Sequence, residues 1–304
     1  MSPVVPRRLA DRAFLWLAAL AVLLIVAMLG VILGNIVWNG WEQITWEFLT
    51  AAPRVGMTEG GIFPAIFGTV LLVLLMTIFV VPLGVCVAIY FSEYANRESP
   101  LYRWTRQAVN NLAGVPSIVF GLFGLGFFVQ FVGRGVDRAF YEGRLTYGQP
   151  ALIWAALTMA VLTLPVVIVS VEEALRAVPQ TYRDASYALG ATRSQTIFRV
   201  VLPHALSGVL TGGILAVSRG AGEVAPILFV GAAYFLPHLP TRLNDQFMEL
   251  GYHVYVLSTQ SPDVEATKPL LYGTVLVLLA LTFLLNLTAI AIRSRLRVGA
   301  ETGR

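Results

Sequence analysis

The sequence predicts an all-α integral membrane protein with six transmembrane helices and a short cytoplasmic helix between helices four and five. Three observations carry this expectation. Of the 304 residues, 57% are hydrophobic and only 12% charged, where an ordinary soluble domain has about 25% charged residues. Six runs, residues 13–37, 62–91, 108–132, 151–171, 204–235 and 270–292, meet the roughly 20 apolar residues that crossing the hydrocarbon layer requires. Between the fourth and fifth lies a segment too polar to cross a membrane and too regularly punctuated to be a flexible loop.

These runs divide the chain into an N-terminal segment, residues 1–12, a six-helix domain, residues 13–292, and a C-terminal tail, residues 293–304. Arg7, Arg8 and Arg12 precede the first run as they would a secretion signal. The run exceeds a signal core of roughly 7 to 15 residues, and no small-x-small cleavage site follows it, so a retained helix is expected. The second run is interrupted by Pro82 and contains the single cysteine, Cys86, which is expected to serve packing. One thiol supports neither a disulfide framework nor a metal cluster.

Orientation follows from charge. The termini and the loops after helices two and four hold fourteen of the 21 basic residues, and the other loops hold six. Positive loops stay on the cytoplasmic side, so both termini are expected there. Glu42, Glu47, Glu59, Asp245, Glu249, Asp263 and Glu265 fall outside. The pI of 9.4 therefore reflects membrane orientation; no basic patch interleaved with aromatics suggests nucleic acid. Trp38, Trp41, Tyr90 and Tyr102 lie near helix ends, as interfacial anchors do.

The segment after helix four reads from Glu172 and Glu173 through Arg176, Pro179, Tyr182, Arg183, Asp184, Ala185, Ser186 and Gly190 to Leu202 and Pro203. Pro179 lacks the amide donor and ends one helix. Residues 180–189 then form a short helix closed by Gly190, and a second helical stretch enters the bilayer near Pro203. Taken alone, the segment could be a surface connector in which Glu173 and Arg176 make local ion pairs. Its spacing, however, resembles the Glu-Ala-Ala, Gly, Ile-x-Leu-Pro loop of ATP-binding-cassette import permeases, with Asp184, Ser186 and Val200 as close substitutions. That resemblance implies that Tyr182, Asp184, Ala185, Ser186, Gly190, Leu202 and Pro203 couple the chain to a cytoplasmic ATPase.

Helix five carries Arg219, fifteen residues past the expected helix start, or ~22 Å at the helical rise. An ionised residue so deep costs ~2.5 to 3.5 kcal/mol on the most lenient scale. Glu223 follows four residues later and can pair with it. The pair either locks helix five or lets Arg219 compensate an anion in transit while Glu223 prevents overly tight binding. Gly220, Gly222 and Pro226 favour the pathway, because broken helix at membrane depth is tolerated where it lines a cavity. Gly30 with Gly34, and Gly208 with Gly212, read as close-packing faces.

Three stretches, residues 60–69, residues 112–124 containing Pro116 and Ser117, and Ser218 through Pro226, resemble the PstA-type permease of phosphate-specific importers. The similarity runs over residues 60–297. Gly220 and Val224 stand where the family usually has Ala and Thr. The resemblance implies a transmembrane permease subunit of an ATP-driven inorganic phosphate importer in the bacterial plasma membrane. Arg219, Glu223, Pro116, Ser117 and Ser218 would line its pathway. It further implies a related PstC-type permease, two PstB-type ATPase subunits that hydrolyse ATP, and a PstS-type extracytoplasmic phosphate-binding protein. Residues 236–269, with Tyr252, Tyr255 and four acidic residues, would contribute to docking the last.

No cofactor or metal is expected on this chain, nor catalysis. The only lysine, Lys268, precedes Pro269 and belongs to no phosphate-binding loop. His204, His238 and His253 lack metal-ligand spacing. The alternatives are an importer of another oxyanion such as sulfate or molybdate, an ion-coupled secondary carrier, and a scaffold without transport. One arginine does not separate phosphate from other oxyanions.

Overall fold

The computed structural model describes residues 7–54, 59–261 and 264–302. Helix α1 (Arg7–Gly40) leads to short α2 (Trp46–Thr50) and a two-residue antiparallel ribbon, β1 (Pro53–Arg54) with β2 (Glu59–Gly60), pairing Pro53 with Gly60. Then follow α3 (Phe63–Ile89), α4 (Pro100–Leu112), α5 (Ser117–Phe123), α6 (Arg134–Phe140) and α7 (Leu152–Ala177). The chain closes with α8 (Gln180–Ala188), α9 (Arg193–Thr196), α10 (Leu202–Gly220), α11 (Leu250–Thr259) and α12 (Val264–Thr302). Among the described residues six helical stretches are long and apolar enough to span a membrane, as the composition requires.

The core lies around α7, which is flanked by α3 and α10. Met76, Val80 and Ala88 of α3, Met159, Val167 and Val171 of α7, and Val209 and Ala216 of α10 are all buried there. Polar residues inside α7 are satisfied locally: the Thr158 and Thr163 hydroxyls donate to the carbonyls of Trp154 and Met159 at 2.7 and 2.9 Å. Such back-bonding lets threonine sit in a buried helix at little cost. α10 runs antiparallel to α7, with Gly208 against Ala174 and Gly212 against Val171, so the close-packing reading of these two glycines holds.

α1 differs in packing. Its apolar residues are exposed all round, and it meets α12 near its end, where Gly40 abuts the backbone of Tyr272 and Gly273. Gly30 and Gly34 meet nothing within 4 Å, so their expected packing face is unused within this chain. Cys86 is also exposed on α3 rather than packed.

Two of the expected runs are corrected. The third does not begin at residue 108: residues 108–112 belong to the polar, amphipathic α4, and the span is Ser117–Phe140, opened by Pro116 and continued by a π-helical stretch, Gly124–Gly133. The fifth does not reach residue 235. It spans Arg193–Gly220, including a π-helical turn at Ile197–Val201, and the chain beyond is mostly irregular. Apolar composition extended both runs past helix ends that glycines and prolines set.

Candidate translocation site and coupling surface

Gly220 closes α10 against Met76, the middle of α3; a Cβ at 220 would lie 2.6 Å from the Met76 sulfur and 3.8 Å from Cε of Met159. Arg219 therefore sits level with the middle of α3. It lies in the last turn of α10, where the partial negative charge of a helix C-terminus favours a cation. The helix ends between Arg219 and Glu223, so the pair bridges that end instead of sharing a continuous helical face. Arg219 Nε stands 3.5 Å from Glu223 Oε1 and has no hydrogen-bond partner. The two side chains are 35% and 25% exposed, a loosely held and partly buried charge pair.

The turn after Glu223, Ala225–Ile227, packs against α5. Gly121 of α5 faces the carbonyls of Ala225 and Pro226 closely enough that a Cβ would come to 3.1 and 2.9 Å. Ser117 lies one helical turn earlier on the same face, with Pro116 as the residue preceding the helix. The structure thus brings Gly121 of α5, one turn beyond Ser117, to the turn that follows Glu223. Ser218 is placed otherwise: its hydroxyl donates to Asn286 Oδ1 of α12, in the same interface where Arg293 donates to Thr211 Oγ1 at 3.0 Å.

At the end of the bundle richest in arginine, the polar segment folds as expected. Pro179 precedes α8, and Gly190 follows it at φ +80°, a left-handed conformation that glycine adopts without strain. Thr192 and Gln195 then form a capping box that starts α9. Asp184 and Ala185 are exposed, and Leu189, at the tip, is 89% exposed. Tyr182 lies against the His204 ring at 4.8 Å, close to Pro203 in the first turn of α10, and Ser186 Oγ bonds Thr196 Oγ1 at 2.9 Å. Leu202 opens α10 half-buried.

Sequence reading missed the charges beneath this surface. Glu172, not Glu173, partners Arg176, at 2.5 Å, and also Arg106 of α4. Arg183 is buried and donates to the carbonyls of Val178 and Leu175 at 2.6 and 2.9 Å and to Glu93 Oε1 at 2.9 Å. Arg193 reaches the backbone carbonyl of Glu93 and lies over the Tyr94 ring at 4.7 Å. Glu93 follows an apolar run and looks like an ordinary interfacial residue; only its burial reveals its partner.

At the opposite end, the loop before α12 is partly corrected. Glu249 is buried, accepting from the amides of Gly251 and Tyr252 at 2.8 and 2.7 Å and so capping α11. Burial pushes its carboxyl up to about 7 against the lowering by those amides, and burial lowers the His253 imidazole to about 4. Neither residue is available to a partner's surface, and Asp263 lies outside the described residues. Tyr255 and the rim of a ~610 Å³ cavity bounded by Gln149, His238, Arg242 and Asp245 are available.

A bundle with a charged pair at a helix break and an exposed helix between two spans defines a transport permease. The chain belongs to the family described as binding-protein-dependent transport system inner membrane component, whose model matches residues 80–298. It is 32% identical to the "Probable phosphate transport system permease protein PstA" of Methanocaldococcus jannaschii, over 92% of this chain and 93% of that one. It is 30% identical to the "Probable ABC transporter permease protein YqgI" of Bacillus subtilis, over 86% and 88%. The fold is shared with a bacterial alginate ABC transporter solved with its alginate-bound periplasmic protein, at TM-score 0.60, 14% identity, and 94% and 96% coverage.

Proposed function

We propose that this chain is the PstA-type permease of an importer that carries inorganic phosphate into the cell. Arg219 carries the reading: it is a partly exposed cation level with the middle of α3, beside a broken helix and only loosely held by Glu223. Phosphate presents several oxygens and between one and two charges, and a guanidinium can donate two parallel hydrogen bonds to such a group. Glu223 competes for the same cation, which keeps the anion from being retained. The phosphate permeases among its relatives support the choice of substrate.

On this reading the arginine-rich end and both termini face the cytoplasm, in keeping with the charge bias of the loops. The exposed face of α8 docks on a separate ATPase, since the sequence holds no glycine-rich loop followed by Lys-Ser or Lys-Thr. A related PstC-type permease, two PstB-type ATPases and a PstS-type binding protein complete the importer, and ATP is hydrolysed by those ATPases. ATP binding pulls α8 and opens the pathway outward; hydrolysis returns it and delivers the anion past Arg219, Pro116 and Ser117. Ser218 supports the site by holding α10 to α12.

The test is radiolabelled phosphate uptake by proteoliposomes holding the full complex, with binding protein outside and ATP inside. Uptake that needs ATP and resists unlabelled sulfate and molybdate is expected. Uptake without ATP would overturn the coupling, and strong competition would overturn the substrate.

A further inference from the structure

α8 is joined through the chain to α7 before it and α10 after it, yet its one buried side chain reaches a different span. Arg183 and Glu93 are 9% and 8% exposed and meet at 2.9 Å. Glu93 lies in the π-helical turn Tyr90–Tyr94 that ends the second span. Ser92 adds a hydroxyl to the same carboxylate oxygen at 3.1 Å. From the other side of α8, Arg193 donates to the Glu93 carbonyl and covers Tyr94. Two arginines, before and after Gly190, thus converge on one residue of the turn that continues α3. The guanidinium of Arg183 also caps the carbonyls of Leu175 and Val178 at the end of α7, so a single side chain joins three elements.

A buried, multiply bonded ion pair adds little net stability over an apolar packing of the same volume, but it fixes one geometry, because any other arrangement strands a charge. Here it fixes the angle between α8 and the end of α3. From that end, α3 stays packed on α7 on both sides of Pro82, through Val80, Gly84 and Ala88. Its midpoint, Met76, is the residue against which Gly220 rests, next to Arg219.

We propose that Glu93, clamped by Arg183 and Arg193, is a positioning residue through which α8 drives α3, making α3 the lever between the coupling surface and Arg219. The inference rests on reading α8 as the coupling helix. Motion at α8 then arrives at Arg219 along two routes: directly through α10, and through α3 by way of Met76 and Gly220.

The experiment uses the assembled complex in proteoliposomes. Spin labels are placed on the native, exposed Cys86 of α3 and on Leu189→Cys at the tip of α8. The expected result is that the distance between them is the same with and without ATP, because the two elements move as one body, and that Glu93→Gln makes it change with ATP. Glu93→Gln should also keep the ATPase subunits bound and hydrolysing while phosphate taken up per ATP falls roughly ten-fold, within the range of coupling between distant sites. Glu93→Asp, which keeps the carboxylate, should retain part of that ratio, whereas a role confined to stability would lower assembly and hydrolysis together. A label distance that changes with ATP in the unaltered joint would overturn the proposal, as would Glu93→Gln with an unchanged ratio. Should the variant fail to assemble, the distance in the unaltered joint decides alone. If phosphate itself is the wrong substrate, unaltered complex shows no uptake while the distance measurement still stands.

Discussion

Gly208 of α10 lies so close against Ala174 of α7 that a side-chain carbon at 208 would occupy the space of the Ala174 methyl. Small residues drive helix association in membranes because they let backbones approach where apolar burial offers no advantage over lipid. Ala174 is too short to move aside. Gly208→Val should therefore separate α10 from α7 at a cost of roughly 1–3 kcal/mol, the usual range for an overpacked core. Thermal unfolding of the purified complex would record a lowered midpoint. Gly126→Ala, where a Cβ meets nothing within 4 Å, should leave the midpoint unchanged.

Gly190 has no neighbour within 4 Å of a would-be Cβ, so what it requires is its backbone at φ +80°. A residue with a side chain costs roughly 1–2 kcal/mol in that conformation, and asparagine tolerates it best. Gly190→Asp should tilt α8 away from its partner and uncouple ATP hydrolysis from uptake, while Gly190→Asn keeps most of the coupling. The ratio of phosphate transported to ATP hydrolysed measures both. Equal ratios for Gly190→Asp and the unchanged chain would mean that the turn does not set the docking angle.

The six spans were legible because hydrocarbon imposes a length and a composition, and α8 was legible because Pro179 and Gly190 punctuate it. Two span boundaries were not. Residues 108–112 adjoin an apolar run and 221–235 are apolar enough to extend one, but the helix ends are decided by Pro116 and by the glycines at 220 and 222. The spacing of Arg219 and Glu223 was readable from sequence; the end of the helix at Gly220, and hence the loose geometry of the pair, was not. The charges that hold α8, Glu93 and Arg183, are long-range partners, 90 residues apart, and nothing local in either stretch announces the other. Ser218 had the right neighbours in sequence but points to α12, a direction set by rotation about the helix axis.

Arg219→Ala removes the donors that an anion would meet at mid-depth and leaves α8 untouched. Losing hydrogen bonds to a charged group is worth ~1.5–3 kcal/mol, so uptake should fall at least ten-fold while the ATPase still co-purifies. Glu223→Gln should act in the opposite sense on binding: without the competing carboxylate the anion is held longer, and turnover slows although the transported ion binds more tightly. Single-turnover release from proteoliposomes separates the two effects. An assembled Arg219→Ala complex with normal uptake would remove Arg219 from the pathway.

Glu249 and His253, one turn apart on α11, should make the stability of that helix depend on pH in opposite directions. Burial raises the Glu249 carboxyl from 4.5 to about 7, so folding favours its protonated form; that contribution is full below pH 4.5 and is lost as pH rises through 7. Burial lowers the His253 imidazole from 6.5 to about 4, so folding favours the neutral ring; that contribution is full above pH 6.5 and is lost as pH falls through 4. At ~1.4 kcal/mol for each tenfold change in proton affinity, each is on the order of 3 kcal/mol, and between pH 4.5 and 6.5 they largely cancel. Amide exchange of residues 250–259 should accordingly vary little with pH once its intrinsic chemistry is divided out. Glu249→Gln, which keeps an acceptor for the helix cap, should leave only the imidazole, so protection drops on acidification. His253→Phe should leave only the carboxyl, so protection rises on acidification. The two single variants must tilt in opposite directions; parallel profiles would mean that at least one of these groups is hydrated in the folded protein.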